Sequence, residues 1–158
     1  MGGHVLGWVV GALLMLGTIT IGTTPDPGFF SLASYRGYVF AGTYGDPKVY
    51  IHDGASLWQE VPGIESAGES VFDMQEYSID NQLYATTEST GKVLRLNLAT
   101  QRWEVVFQAN QAHGWNNAYS LIEYRGYLIT AFNRYPHDDQ TLVVYYDGTR
   151  WGSFQFGP

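Results

Sequence analysis

The chain has 158 residues, enough for one domain with a sizeable core, and a formal net charge of −7. With two lysines among its eight basic residues and no basic run, it lacks the positive footprint that a nucleic-acid backbone needs. It has no cysteine, which excludes disulfides, thiolate catalysis and cysteine zinc sites. Its 19 glycines and 16% aromatic residues favour a β-rich, turn-rich fold.

The N-terminal segment, residues 1–28, differs in composition from the rest of the chain. No Asp, Glu, Lys or Arg precedes Asp26, and residues 5–21 are almost wholly apolar. A positive n-region and a small-residue cleavage site are both missing, which argues against a signal peptide. The apolar run has the minimum length for a membrane span, but residues 17–22 alternate with the period-two pattern of a strand.

We expect this segment to be buried in an assembly, because an exposed apolar patch of this size would aggregate. A membrane anchor through residues 5–21 is the alternative. The residues expected to make the assembly contacts are Val5, Trp8, Val9, Leu13, Ile19 and Ile21. Two prolines, an aspartate and a glycine in residues 25–28 then separate this segment from residues 29–158.

The remaining residues contain an internal repeat. The dipeptides that begin the second strand of each unit recur every 44 to 45 residues: Arg36-Gly37, Asn81-Gln82 and Arg125-Gly126. Tryptophans recur 45 and 48 residues apart: Trp58, Trp103 and Trp151. A strand-rich unit with a fixed period of this size predicts an array of four-stranded blades.

In chain order, turn signals divide the repeat region into three blades, at about residues 29–62, 70–107 and 118–156. The strands predicted for the first blade are 29–35, 38–44, 48–52 and 57–61; for the second, 70–79, 82–87, 92–98 and 102–107; for the third, 118–124, 127–132, 142–146 and 151–156. The predicted fold is therefore all-β, with three four-stranded antiparallel blade-like repeats, a partial β-propeller, after an apolar N-terminal segment.

The repeats resemble those of kelch-type β-propellers. The sequences GYVFAGTYGDPKVYIHDGASLWQEVP and NQLYATTESTGKVLRLNLATQRWEVV follow the kelch rhythm of two strands and a later tryptophan, and the likeness covers residues 29–156. The places of the kelch glycine pair are occupied by Ala41-Gly42, Thr86-Thr87 and Ala131-Phe132. The resemblance implies a blade architecture and a binding platform in place of an enzyme.

The number of blades predicts an assembly. Closed propellers use roughly four to eight blades, and three blades leave two open sheet edges and an unfilled centre. We expect the chain to form a homo-oligomer, in which two chains supply six blades, or to be completed by other proteins of a particle.

Candidate ligand-binding residues lie at or near predicted loops and strand ends. Their rings or polar groups suit stacking on sugars or anchoring of a protein partner: Tyr44, Trp115, Tyr119, Tyr135, His137 and Asp139. We expect the ring of Trp115 to be exposed in a polar loop, with filling of the space between blades as its alternative. His137 and Asp139 belong to a polar cluster for which a solvated hairpin tip is the alternative to a functional site.

Other chemistry is not predicted. The histidines lack metal-ligand spacing, and no nucleophile or phosphate-loop motif is found, so we expect no metal, no cofactor and no enzymatic activity. The leading hypothesis is a structural and attachment module of an extracellular or viral particle, such as a bacteriophage fibre or surface decoration. The alternatives are an oligomeric sugar-binding propeller lectin, to which the Asp-Gly turns before Trp58 and Trp151 are similar, and a membrane-anchored surface binding domain.

Overall fold

The computed structural model describes residues 28–55, 57–64, 70–109, 113–134 and 140–157. Within these ranges the chain forms twelve strands. Blade 1 contains β1 (Phe29–Tyr35), β2 (Tyr38–Thr43), β3 (Val49–His52) and β4 (Gln59–Glu60). Blade 2 contains β5 (Val71–Tyr77), β6 (Gln82–Thr87), β7 (Lys92–Asn97) and β8 (Arg102–Gln108). Blade 3 contains β9 (Trp115–Tyr124), β10 (Tyr127–Arg134), β11 (Thr141–Tyr146) and β12 (Trp151–Phe156).

Each blade is a four-stranded antiparallel meander in which every strand pairs with its neighbours in sequence. The prediction of an all-β chain with three four-stranded, propeller-like blades is therefore confirmed. Nine of the twelve strands differ from their predicted bounds by one to three residues at an end, and β1, β6 and β12 match them. β4 is two residues long because Trp58, predicted to lie in this strand, packs its ring against Phe29 and His52. β9 begins earlier than predicted because Trp115 pairs with Arg134.

The hydrophobic core lies between the blades. The first strands are neighbours, with β1 against β5 and β5 against β9. Between blades 1 and 2, the core includes Tyr35, Phe40, Leu83, Leu96 and Trp103. Between blades 2 and 3, it includes Tyr77, Tyr84, Leu121, Leu128 and Phe132. Because successive strand residues face opposite sides of the sheet, blade 2 contributes one face to each core.

A tyrosine at the end of the first strand fixes each blade to the next. The Tyr35 hydroxyl donates to the backbone oxygen of Asn81 at 2.6 Å, in the β5–β6 turn. The Tyr77 hydroxyl donates to the backbone oxygen of Gly126 at 2.6 Å, in the β9–β10 turn. The same contact is therefore made twice, at equivalent positions of the repeat.

The N-terminal predictions fall outside the part of the chain that the structure describes. These residues are Val5, Trp8, Val9, Leu13, Ile19 and Ile21. The division at residue 28 and the assembly role of this segment stay predictions. Within the described ranges, no helix combines the length and apolar character needed to cross a membrane.

Candidate functional site

The first strand of each blade carries a β-bulge at the same point of the repeat. In β1 the pairing with β2 shifts between Phe29 and Ser31, which leaves Phe30 as the extra residue. In β5 the pairing with β6 shifts between Val71 and Asp73, which leaves Phe72 as the extra residue. In β9 the shift lies between Ala118 and Leu121, which leaves Tyr119 and Ser120. A bulge bends its strand and redirects the side chain of the extra residue. An aromatic residue is thus redirected in all three blades.

These three rings and Tyr44, which follows β2, form a continuous row that we call the aromatic stripe. The ring centroids of Tyr44 and Phe30 are 5.7 Å apart with the planes 21° from parallel. Phe30 and Phe72 are 5.0 Å apart, and Phe72 and Tyr119 are 4.7 Å apart and stacked. The exposed fractions are 60% for Tyr44, 53% for Phe30, 49% for Tyr119 and 7% for Phe72. The stripe therefore crosses all three blades and offers three accessible rings.

The stripe lies at the end of the blades where β1 and β5 begin and β2 ends. Of the predicted ligand-binding residues, the structure brings Tyr44 and Tyr119 into this row and leaves Trp115 out of it. The other three, Tyr135, His137 and Asp139, fall between β10 and β11 in the sequence and lie outside the described residues.

Sequence reasoning missed Phe30 and Phe72. A signal for them exists, because each stripe residue of a first strand stands five positions before the tyrosine that ends that strand: Phe30 before Tyr35, Phe72 before Tyr77, and Tyr119 before Tyr124. Aligning the repeats on those tyrosines would have placed one aromatic residue in each blade at the same point.

Buried polar groups set the position of Tyr119. Nδ2 of Asn117 donates to the Tyr119 hydroxyl at 3.1 Å, and Oδ1 of the same amide accepts from the backbone N–H of Ser89 at 2.9 Å. Asn117 is itself buried. Since Ser89 belongs to the β6–β7 turn, the amide links the Tyr119 phenol to blade 2.

A second polar link joins the stripe residues of blades 1 and 2. The hydroxyl of Ser70, two residues before Phe72, accepts from the backbone N–H of Gly45 at 3.2 Å. It donates to the Glu88 carboxylate at 2.8 Å. Gly45 directly follows Tyr44, so Ser70 links this end of the stripe to Glu88. Asn117 makes the corresponding polar contact at the Tyr119 end.

The prediction of an exposed Trp115 is wrong. Its side chain is 1% exposed and belongs to the core between blades 2 and 3, where the Arg134 guanidinium lies 4.8 Å from its ring centroid. The reason is a backbone contact: Gly91 donates its N–H to the oxygen of Asn116 at 2.8 Å. A Cβ at Gly91 would lie 2.3 Å from the Trp115 oxygen. The start of β9 is therefore held against the β6–β7 turn, and the indole fills the space between blades.

Two tyrosines with perturbed acidity lie at the other end of the blades. Burial raises the pKa of Tyr77 above its usual value. Burial and a 2.6 Å hydrogen bond to the Asp80 carboxylate raise the pKa of Tyr84. Both phenols are protonated at neutral pH and donate hydrogen bonds within the core, which is a structural role. Within the described ranges, no three His, Cys, Asp or Glu side chains come together as a metal site requires.

A cavity of about 350 Å³ opens between blades 1 and 2, also away from the stripe. Its walls include core residues such as Tyr35, Phe40 and Leu96, and Arg36 and Glu60 are its charged members. None of the four stripe rings lines it. The aromatic stripe is the better candidate for a binding site, because three of its four rings are exposed and the row is continuous across all three blades.

The comparisons with known proteins concern the fold. No protein-family model matches the sequence, and no curated protein sequence matches it. A solved structure of an α-L-arabinofuranosidase from Clostridium thermocellum is similar, with a TM-score of 0.47 and 15% identity, over 80% of this chain and 49% of that chain. This chain thus spans about half the length of that structure, whose fold is a β-propeller.

The expectation that the chain has no enzymatic activity is wrong, because the similar structure is that of an enzyme. The activity named for that structure belongs to that protein, and the resemblance to kelch repeats stays a prediction.

Proposed function

We propose that this chain is a recognition module that binds uncharged glycans along the aromatic stripe, at an extracellular or particle surface. The observation that supports the proposal is the row of four rings in contact across three separate sheets, three of them exposed. Contiguous exposed apolar groups of this kind mark binding surfaces on soluble domains. The attachment role expected from the sequence suits the same surface, with a glycan as the attached ligand.

The chemistry of the stripe favours sugars. Tyr44 and Tyr119 end the row, so each has one ring face against a neighbour and the other directed outward. An outward aromatic face accepts the apolar face of a pyranose, while a phenol hydroxyl supplies a polar contact beside it. The Glu88 carboxylate, which accepts from Ser70, provides a further group for sugar hydroxyls. The Glu88 carboxylate and the net charge of −7 disfavour an anionic ligand.

The test is a glycan array of neutral oligosaccharides probed with the full chain, followed by calorimetry on the sugars that bind. Replacing Tyr119 by alanine removes one outward face, and we expect the dissociation constant to rise at least about tenfold. Tyr38→Ala is the control, because Tyr38 is also an exposed tyrosine but lies beside the β1–β2 turn at the other end of blade 1.

Circular dichroism establishes that both variants keep the β-fold. An array on which no neutral glycan binds would refute the proposal. Equal losses of affinity in Tyr119→Ala and Tyr38→Ala would also refute it, since the ligand would then not depend on the stripe.

A further inference from the structure

The contacts between blades leave one repeat position unpaired in blade 3. Tyr35 and Tyr77, which fix blades 1 and 2 to their successors, are 2% and 0% exposed. Tyr124 stands at the same position in blade 3 and is 55% exposed. Its surroundings on its own blade are repeated as well: the Arg125 guanidinium lies 5.2 Å from the Tyr124 ring, as the Arg36 guanidinium lies 5.3 Å from the Tyr35 ring.

Tyr124 belongs to an apolar sheet face without a partner among the described residues. The strand pairing places alternate residues of all four strands on this side, where Asn133 and Thr141 are polar and the large apolar residues are Ile122, Tyr124, Tyr127, Ile129, Val143, Tyr145, Phe154 and Phe156. We call this set the blade 3 outer face. The set contains no charged side chain, and its rings touch one another from Tyr127 through Tyr145 to Phe154 and Phe156.

Blade 1 carries the opposite half of the same contact. Met74 in β5 and Leu121 in β9 stand at equivalent repeat positions, three residues before the terminal tyrosine, and face the preceding blade. Each is 5% exposed. Leu32 holds that position in β1 and is 64% exposed. An exposed residue thus stands at a blade-to-blade position on each end blade, Tyr124 on blade 3 and Leu32 on blade 1.

We propose that these halves meet between two copies of the chain, with the blade 3 outer face of each copy docked on the Leu32 side of blade 1 of the other. The two contacts between blades within the chain support this partner. In each of them, one face of a blade is buried against the face that the next blade turns toward it. A head-to-tail contact that closes after two copies makes a ring of six blades, within the four to eight that closed propellers use.

The docked contact repeats the internal hydrogen bonds. The Tyr124 hydroxyl donates to a backbone oxygen of the β1–β2 turn of the second copy, as Tyr35 and Tyr77 donate to the turns of the blades after them. The Ser31 hydroxyl donates to the backbone oxygen of Val71 at 2.8 Å, and Ser120 stands at the Ser31 position in blade 3. Burial of the blade 3 outer face requires no desolvation of a charge, because its side chains are uncharged.

The experiment measures the mass of the full chain in solution by light scattering over a wide range of concentrations. We expect twice the 17.7 kDa mass of one chain. Ile122→Glu and Leu32→Glu each place a charge in the contact, and each should raise the dissociation constant of the dimer at least about 100-fold. Val105→Glu is the control, since Val105 is also an exposed branched apolar residue but lies in the last strand of blade 2.

A mixing experiment tests the head-to-tail geometry. When the two monomeric variants are mixed, the intact outer face of the Leu32→Glu chain meets the intact blade 1 of the Ile122→Glu chain. One unaltered contact remains, so a mixed dimer should form. The altered residues are exposed in the single chain, and circular dichroism checks that both variants remain folded.

Three results would overturn the proposal. A wild-type chain that stays monomeric at all concentrations would show that something else covers the blade 3 outer face. A polydisperse series of masses would show an open assembly in place of a closed ring. A dimer that survives Leu32→Glu but is lost in Ile122→Glu would show that two outer faces pack on each other.

Discussion

Replacing Tyr77 by phenylalanine removes the contacts of one phenol hydroxyl with the next blade, a short hydrogen bond to Gly126 and a longer one to Tyr146. The Tyr77 hydroxyl donates to the Gly126 backbone oxygen at 2.6 Å, and the side chain is fully buried. The ring packs against Tyr84 and Tyr146, and phenylalanine keeps those ring contacts. The substitution therefore removes the link from blade 2 to the β9–β10 turn while leaving the apolar core filled.

The expected loss is set by the cost of an unmade hydrogen bond. A neutral hydrogen bond contributes a net stability of about 0.5–1.5 kcal/mol, and a buried group left without its partner costs about 1–3 kcal/mol. The Gly126 carbonyl loses this donor, and the smaller side chain offers no replacement. We expect the free energy of unfolding to fall by about 1–2 kcal/mol, which lowers Tm on the order of 2–8 °C for a chain of this size.

Urea and thermal unfolding at one fixed protein concentration measure this loss. Tyr44→Phe is the control, because the Tyr44 side chain is mostly exposed and its hydroxyl is open to water, so a change within about 0.5 kcal/mol is expected. Tyr35→Phe should match Tyr77→Phe, since its bond to the Asn81 oxygen is also 2.6 Å. Unchanged stability in Tyr77→Phe would refute the idea that these phenols fix the blades.

Two further predictions concern packing and pH. Gly42→Ala should lower the free energy of unfolding by about 1–3 kcal/mol, because the added Cβ would lie 2.6 Å from Cβ of Val71. Gly28→Ala is the control, since a Cβ there would have nothing within 4 Å, and its free energy of unfolding should change little in the same urea titrations. Raising the pH above about 10 should destabilise the fold. Burial and the Asp80 hydrogen bond raise the pKa of Tyr84 above its value in the unfolded chain. The stability that this protonated phenol contributes is therefore present below about pH 10 and is lost as the pH rises further. Tyr84→Phe should flatten that decline in unfolding curves recorded at successive pH values.

The fold was predictable because its signals are local. Arg36, Asn81 and Arg125 occupy the left-handed region at φ of 51°, 53° and 50°, in turns that recur with the repeat. Such turns join adjacent antiparallel strands, and the turn spacing sets the length and register of each hairpin. Three blades are therefore predicted by turn residues that can be read one unit at a time.

The candidate site was less predictable because it depends on contacts between units. Trp115 stands in a polar stretch, and nothing within that stretch indicates that Gly91, in the preceding blade, holds the start of β9 against the core. Phe30 and Phe72 stand in strands whose apolar residues predict core positions equally well. Their place in the stripe requires the bulges, which appear only when the pairing of first and second strands is known.

The recognition surface and the docking surface arise from the same repeat. Each first strand adds one ring to the stripe beside the ring of the blade before it, as Phe72 lies beside Phe30 and Tyr119 beside Phe72. If a second copy docks on blade 3 as proposed, its blade 1 would lie beside Tyr119 in the same way that blade 3 lies beside Phe72. In each copy Tyr44 stacks on the side of Phe30 away from Phe72, so the Tyr44 of the second copy would lie next to Tyr119. Closing the ring would therefore join the two aromatic stripes end to end and place the outward faces of Tyr119 and of that Tyr44 on either side of the joint, because the spacing that unites blades within one chain is the spacing that would unite the two chains.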